Sequence, residues 1–450
     1  MGQRASSAGT WVVVAGYFLV MLDTTIVNIA LPHLGTGLSV SPGGLAWIMD
    51  AYTLVFAALL LPAGSACDQY GARRVYLTGI AVFALASIAC ALAPNAGLLI
   101  ASRAIQGIGA AAVVPATLAL ITELFTDPAA RATAVGLWGA AGGVAAAVGP
   151  LLGGVLLDGI GWRAAFWVNV PVVVAIAIGA LRSLPARTAR PGRLDAAGQM
   201  LAILALAGLT FAIIDTGDHG LTARAAAGFA VAVLAAVGFV WHERRSRTPM
   251  LPLSIFSAPG FSTATVVGFV LNFSFFGQLL ALTLYIQDTR GLAPAIAGLV
   301  MAPQALGAII GAPLGGRITA AHTPQRAMLT GLAIGTAGFA SLMIFDTSTP
   351  YPVVAILTFV AGLGMAIAMP AATSAAVSAA PDTLTGIAGS VINAARQTGS
   401  VVGVAVLGSL ATGFGNITGF RAAALGAAIA FALGLALVLW NAVNKQSLYS

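Results

Sequence analysis

The chain has 450 residues, of which 59% are hydrophobic and only 7% are charged, and its mean hydropathy is +0.98. Soluble domains carry about 25% charged residues, so this composition excludes a soluble protein and predicts one that resides in a lipid bilayer. The net charge of +7 does not indicate nucleic acid, because the basic residues lie in short loops between apolar runs, as in membrane proteins.

Apolar runs separated by polar breaks predict fourteen spans, since about 20 apolar residues cross the bilayer core. All should be helical, because lipid offers no partner for open backbone groups. The fold class is therefore all-α and polytopic. Spans 1 to 8 are predicted at 11–32, 44–65, 75–93, 97–122, 132–156, 163–182, 196–214 and 222–241. Spans 9 to 14 are predicted at 261–286, 293–316, 326–345, 351–379, 384–411 and 418–441. A twelve-helix count would require that spans 7 and 8 do not cross, but each is long enough.

The basic residues sort to one side of these spans if the N-terminus is cytoplasmic, which is the expected bias. The cytoplasmic set is Arg4, Arg73, Arg74, Arg131, Arg182, Arg187, Arg190, Arg193, Arg244, Arg245, Arg247, Arg317, Arg326 and Lys445. The outer set is Arg163, Arg224, Arg290 and Arg421. We therefore expect a multi-pass protein of the inner (plasma) membrane with both termini in the cytoplasm and with span 1 retained.

The order of spans predicts three parts: a six-helix bundle at 1–182, cytoplasmic linkers and a two-helix insert at 183–250, and a second six-helix bundle at 251–450. Six helices on each side of an insert indicate an internal duplication. A weak sequence similarity between spans 2 and 10 agrees with this duplication. Asp50 follows Gly44 by six residues, and Gln304 follows Gly298 by six.

Charged residues inside the spans are candidates for chemistry, because a charge in hydrocarbon is costly and usually functional. Asp23 lies about 14 Å below the predicted outer end of span 1, and Asp50 and Arg103 lie about 9 Å into spans 2 and 4. We expect a cluster in which Arg103 pairs with one carboxylate while the other binds and releases a proton. The alternative is that Asp50 and Arg103 extend to the outer surface and serve only topology.

Neutral polar residues extend the candidate set. Asn28 follows Asp23 but lies about 140° around the helix, so the two do not share a face. Thr24 and Thr25 can simply bond back to the helix backbone. The candidates of the second half are Asn272 in span 9 and Asn393, Arg396 and Gln397 in span 13. Arg396 either lines a cavity or forms a structural ion pair, and both interpretations stay open.

Two short segments are candidates for controlling a change of conformation. The loop after span 2, GSACDQYGARR, contains Gly64, Asp68, Gly71, Arg73 and Arg74. On the cytoplasmic side, its acid can pair with a base or a helix N-terminus and lock one conformation; the alternative is a topology signal.

Span 5 contains the sequence GPLLGG, with Gly149, Pro150, Gly153 and Gly154. Such small residues allow close helix approach and bending, which indicates either a pliable gate or ordinary tight packing.

Together these segments resemble the major facilitator superfamily, and in particular its fourteen-helix drug:proton antiporter branch. The segments that carry the resemblance are LDTTIVNIALP, GSACDQYGARR, LIASRAIQGIGAA, GPLLGG, GWRAAFWVNVP and GSVINAARQTGSVVG. Within the branch, the chain is most similar to methylenomycin A resistance-type exporters, especially around APGFSTATVVGFVLNFSFFG and WIMDAYTL.

The resemblance implies proton-coupled efflux of a small antibiotic or other toxic organic compound by alternating access. It implies that Asp23 is the proton- or substrate-linked acid, Arg103 a proton-relay residue, and Asp68 with Arg73 and Arg74 a conformational latch. The latch departs from the family pattern at Gln69 and Ala72. Spans 9 to 14 contain no carboxylate, which disfavours a dicationic substrate and favours a neutral, monocationic or weakly acidic one.

The alternative functions are a proton symporter or facilitator for a small metabolite, and a polytopic membrane enzyme. An enzyme is disfavoured because His33, His219, His242 and His322 have no HExxH-type spacing and neither Cys67 nor Cys90 has a nearby base. The chain has no GxxxxGK[ST] phosphate loop, so we expect no nucleotide, and we also expect no cofactor and no metal. The expected partners are a small-molecule substrate, protons and the lipid bilayer, and the expected state is a monomer.

Overall fold

The computed structural model describes residues 2–125, 127–185, 195–246, 249, 251, 253–258, 260–380 and 385–447. Most of these residues lie in helices. No β-strand occurs among these residues. The first eight helices are α1 (Gly2–Leu38), α2 (Pro42–Tyr70), α3 (Ala72–Ala91), α4 (Ala96–Leu124), α5 (Pro128–Ile160), α6 (Ala164–Trp167), α7 (Asn169–Ser183) and α8 (Ala196–His219). The others are α9 (Ala223–Arg245), α10 (Phe261–Leu284), α11 (Pro294–Ala321), α12 (Pro324–Ser341), α13 (Tyr351–Ala379), α14 (Thr385–Gly413) and α15 (Asn416–Ser447).

Thirteen spans among the described residues are long and apolar enough to cross a membrane, with α6 and α7 together forming one of them. The remaining long helix, α14, has 29 residues, and at 1.5 Å per residue its length of about 43 Å also suffices to cross. The all-helical fold is confirmed, and a count of fourteen spans is compatible with it.

The predicted end of span 1 at Pro32 is wrong, because α1 continues to Leu38. Proline removes one backbone donor, which ends many helices, but membrane helices tolerate it when neighbouring groups compensate. Asp23 therefore lies fifteen residues, or about 22 Å, from the end of α1, deeper than the sequence predicts.

Span 6 forms one crossing segment, Ala164–Ser183, close to the predicted 163–182. One hydrogen bond of its helical ladder is missing, because Pro171 has no N–H to donate to the carbonyl of Trp167. Val168, between α6 and α7, keeps helical backbone angles, so the segment continues through this turn. Asn169 begins α7 and is fully buried.

The chain divides into two compact units, Met1–Ile203 and Leu204–Ser450, with the boundary inside α8. In the first unit, α4 packs against α2 and α3, and α1 packs against α5. In the second unit, α13 packs against α11 and α12, and α10 packs against α14. The same order of neighbours in both units supports an internal duplication, while the domain limits at 182 and 250 stay a prediction.

A shared motif makes the duplication visible at residue level. The sequence GxGxxxxxP begins at Gly107 in α4 and at Gly362 in α13. A Cβ atom at Gly107 would press on the backbone of Tyr52 in α2, and one at Gly362 on the backbone of Gln304 in α11. Both positions require glycine because the neighbouring helix approaches too closely for a side chain.

Candidate functional site

A buried carboxylate organises the polar interior of the first unit. Asp23 Oδ2 accepts a hydrogen bond from Arg103 Nη1 at 2.6 Å, and both side chains are 0% exposed. Asp23 Oδ1 accepts from Gln106 Nε2 at 2.9 Å and from Asn169 Nδ2 at 2.7 Å. A buried charge pair is tolerable when its remaining lone pairs are satisfied in this way. The site therefore holds Asp23 as a paired carboxylate.

The guanidinium of Arg103 is fixed by several further contacts. Its Nη1 also donates to Gln106 Oε1 at 2.7 Å, and its Nε donates to the Ile48 carbonyl at 3.2 Å. The group lies 4.2 Å above the ring of Tyr52, a geometry that stabilises cations. Its Nη2 has no hydrogen-bond partner among the described residues.

Ser87 on α3 completes the network. It accepts from Gln106 Nε2 at 2.9 Å and from Asn169 Nδ2 at 3.3 Å, and it donates to the Phe83 carbonyl. The network thus joins side chains of four helices, α1, α3, α4 and α7. The sequence did not single out Ser87, Gln106 or Asn169 as site residues, although Gln106 follows Arg103 by three positions and shares its helix face.

Asp50 is buried apart from this network. Its side chain is 0% exposed, and neither carboxyl oxygen has a hydrogen-bond partner among the described residues. Ile48, whose carbonyl binds Arg103, lies two residues earlier, which is about 200° around α2. The structure thus joins Asp23 and Arg103 but does not place Asp50 in a bond with either. Neither Asp50 nor Arg103 reaches the surface, so the alternative in which both extend outward does not describe this structure.

The other polar residues of α1 that the sequence selected are Asn28, Thr24 and Thr25, of which the two threonines donate to backbone carbonyls. Asn28 is buried, with 1% exposed. Thr24 donates back to the Val20 carbonyl and Thr25 to the Leu22 carbonyl, which is the helix back-bonding expected as the alternative. Thr25 also donates across to the Ala145 carbonyl of α5 at 3.2 Å, so it ties α1 to α5.

The GPLLGG segment of α5 packs against α1 beside the Asp23 network. A Cβ atom added at Gly149 would collide with Thr25, and one at Gly153 would lie 3.4 Å from Ile26 Cα. Pro150 and Gly154 are also buried. The close approach of α5 to α1 therefore depends on the absence of side chains at Gly149 and Gly153, which face α1 two to three residues after Asp23. A gating role for this segment stays a prediction.

The predicted latch segment is not a loop: residues 64–70 belong to α2 and residues 72–74 to α3, with only Gly71 between the two helices. Gly71 ends α2 with φ +87°, a conformation that favours glycine. Arg73 Nη2 donates to the Leu181 carbonyl at 2.7 Å, where a cation suits the C-terminal end of α7. Arg74 is exposed, and Gly64 has open space around it. The side chain of Asp68 lies outside the described residues, so the latch stays a prediction.

In the second unit, the predicted polar residues lie on α10 and α14. Asn272 Nδ2 donates to Ser400 Oγ at 3.1 Å. Arg396 is half-buried and donates to Met369 Sδ at 3.4 Å. Gln397 is buried and Asn393 half-buried. A separate pair, which the sequence did not select as site residues, is formed by Gln278 on α10 and Gln304 on α11, whose side chains meet at 2.9 Å.

Comparison with known proteins decides the family. The model of the Major Facilitator Superfamily matches residues 13–404, and a further match covers 264–447. The chain belongs to the Major Facilitator Superfamily. This membership confirms the predicted family and fold class. Together with the apolar helices described above, it shows that the protein is a multi-pass membrane protein with a small-molecule substrate.

Curated relatives of this superfamily member extend over most of its length. It is 36% identical over 97% of its chain to the methylenomycin A resistance protein of Bacillus subtilis, of which it covers 95%. It is 39% identical over 87% of its chain to the protein of the same name from Streptomyces coelicolor, of which it covers 83%. The multidrug resistance protein Stp of Mycobacterium tuberculosis is 35% identical, with 88% and 74% of the two chains covered.

Solved structures show the same fold at low identity. A POT family transporter in complex with 5-aminolevulinic acid has a TM-score of 0.72 and 13% identity, with 96% of each chain covered. A peptide transporter POT in complex with sulfate has a TM-score of 0.71 and 14% identity. At this identity the likeness shows the fold alone.

Proposed function

We propose that this superfamily member exports a small antibiotic or other toxic organic compound from the cell in exchange for protons. Its relatives at 35–39% identity are named for methylenomycin A resistance and multidrug resistance. Methylenomycin A is therefore the first compound to test. The protein would act as a multi-pass monomer of the plasma membrane with cytoplasmic termini, by alternating access, and would catalyse no reaction.

One observation supports the proton coupling: the two buried acids of the first unit are in different states of pairing. Asp23 is bound by Arg103, whereas Asp50 has no hydrogen-bond partner among the described residues. A buried ionised carboxylate without a partner costs several kcal/mol, and binding a proton removes that cost. We therefore assign proton uptake to Asp50 in the conformation described.

Asp23 has a different part in the proposal. We propose that it exchanges a proton only after Arg103 has moved away, because the two side chains form a buried ion pair of 2.6 Å. Such a movement would disturb three hydrogen bonds at once, since Arg103, Gln106 and Asn169 all donate to the same carboxylate. Proton exchange at Asp23 would thereby be coupled to a rearrangement of three helices, α1, α4 and α7, which is what an exchanger needs.

The deciding experiment uses everted membrane vesicles with a preformed pH gradient, acid inside. If the protein is an antiporter, adding methylenomycin A dissipates the gradient. A facilitator would leave the gradient unchanged, and a symporter would acidify the lumen further. Susceptibility of cells with the gene deleted and overexpressed, measured over a panel of antibiotics, identifies other compounds that the protein exports.

A further inference from the structure

A second buried polar pair lies between α10 and α11 in the second unit. Gln304 Nε2 donates to Gln278 Oε1 at 2.9 Å, and the two side chains are 2% and 0% exposed. Gln278 Nε2 and Gln304 Oε1 have no hydrogen-bond partner among the described residues. Rotating both amides by 180° merely exchanges their roles, so the pair always leaves one amide donor and one carbonyl acceptor unused.

These two unused groups are costly to the fold. A buried polar group without a partner costs about 1–3 kcal/mol, and two apolar side chains of similar shape would avoid the cost. Native proteins contain few such groups, and each requires an explanation. A ligand that bonds to both groups provides one.

The depth of the pair suits a transport site. Gln278 lies eleven residues before the end of its span at Thr289, and Gln304 lies ten residues after the start of α11 at Pro294. At 1.5 Å per residue, both are about 15 to 16 Å from the loop that joins the helices. This is the middle of a hydrocarbon core of about 30 Å, where transporters of related architecture bind substrates.

The charge around the pair restricts the ligand. After Pro252 the sequence contains only three acids, Asp288, Asp346 and Asp382. Asp288 and Asp346 lie at the ends of helices, and Asp382 lies outside the described residues. Among the described residues of the second unit, no carboxylate stands at the depth of the two glutamines to neutralise a cation, and burying an unpaired charge there would cost far more than burying a neutral group.

Helix α11 can bend next to Gln304, which would separate the two glutamine side chains. Pro303 immediately precedes Gln304 and cannot donate to the carbonyl of Leu299, which removes one bond from the helical ladder. Helices bend most readily at such points. A bend at Pro303 moves the residue that carries the amide, so access to the pair can change without unfolding α11.

We propose that Gln278 and Gln304 bind an uncharged polar group of the transported compound. The group would present an acceptor and a donor side by side, as a carboxamide or a protonated carboxylic acid does. The acceptor would bond to one glutamine amide N–H and the donor to the other glutamine carbonyl. This assignment rests on the proposed export function and narrows its substrate class to neutral or weakly acidic compounds.

The test uses the full-length variants Gln278→Met and Gln304→Met, which keep side-chain length and remove both hydrogen-bonding groups. Ser274→Ala on α10 is the matched control, because Ser274 is buried and already bonded to the Ala427 carbonyl. In everted vesicles, the methylenomycin A concentration for half-maximal proton release should rise about tenfold in each glutamine variant, which corresponds to about 1.4 kcal/mol. It should stay unchanged in Ser274→Ala.

Thermal unfolding of the purified proteins separates binding from structure. The midpoints of the glutamine variants should equal or exceed the wild-type midpoint, because unsatisfied polar groups have been removed. A lowered midpoint together with unchanged half-maximal concentration would show that the pair is structural and would overturn the proposal.

A binding measurement on purified protein distinguishes this inference from the export function. Calorimetry with benzamide and N,N-dimethylbenzamide compares two similar ligands, of which only the first has a donor. The wild type should bind benzamide at least tenfold more tightly, and the glutamine variants should lose that preference. Equal binding of the two compounds by the wild type overturns the inference even if proton exchange is observed. Discrimination without proton exchange overturns the export function instead.

Discussion

Asp23 and Arg103 stand eighty residues apart in the sequence, yet their side chains form a fully buried ion pair of 2.6 Å. The pair joins the middle of α1 to α4, and its charges cancel where lipid surrounds the unit. Breaking a buried pair on one side leaves an uncompensated charge. The pair therefore contributes to stability, and in the proposed function it also takes part in proton exchange.

The first prediction concerns the cation alone. Arg103→Gln should lower the free energy of unfolding by about 3–5 kcal/mol at neutral pH, because Asp23 is left buried without its cation. Denaturant unfolding in detergent measures the change. The double variant Asp23→Asn/Arg103→Gln should recover most of the lost stability. If the double variant is no more stable than the single one, the cost does not come from the unpaired carboxylate.

The second prediction concerns Asn169, the first residue of α7, which donates a hydrogen bond to Asp23. Asn169→Ala should lower the free energy of unfolding by about 1.5–3 kcal/mol, the range for a hydrogen bond to a charged group. The same substitution in an Asp23→Asn background should cost clearly less, since the two residues are coupled. Equal costs in both backgrounds would show that Asn169 acts independently of the carboxylate.

The third prediction compares two glycines of α5. Gly149→Ala should cost about 1–3 kcal/mol by overpacking, because its methyl group meets Thr25 of α1. Gly143→Ala is the control, since nothing lies within 4 Å of its added Cβ, and it should be neutral or stabilising by helix propensity. Thermal unfolding and methylenomycin A resistance are the readouts. Equal behaviour of the two variants would contradict the close packing at Gly149.

Much of this fold follows from simple physical patterns. The apolar runs locate fourteen helical segments because the thickness of the bilayer fixes their length. Helix ends are less predictable, as Pro32 shows, because a proline can stay inside a membrane helix when its surroundings compensate. The burial of Asn169 in span 6 depends on packing between helices, and the hydropathy of the segment does not reveal it.

Of the candidate site, only the charged residues could be predicted from the sequence. Asp23 and Arg103 stand out in sequence because charges inside spans are rare. Ser87, Gln106, Asn169, Gln278 and Gln304 do not stand out, since neutral polar residues are common in membrane helices. Their importance comes from contacts between helices distant in sequence. The same reason explains why Asp50, at a similar predicted depth, lies outside the bonded network.

The fourth prediction assigns the unpartnered acid. Asp50→Asn should retain wild-type thermal stability, because the carboxyl group of Asp50 makes no bond among the described residues. It should lose export driven by a pH gradient but keep exchange of labelled for unlabelled methylenomycin A, since exchange requires no net proton transfer. Wild-type export by this variant would remove Asp50 from the coupling mechanism.

Substrate-induced proton release from everted vesicles shows whether the buried acid of α1, Asp23, takes part in proton exchange. Wild type and Asp23→Asn are compared at equal amounts in the membrane. Methylenomycin A should dissipate the pH gradient in wild-type vesicles and leave it unchanged in Asp23→Asn vesicles. Proton release by Asp23→Asn at the wild-type rate would contradict a part for Asp23 in proton exchange.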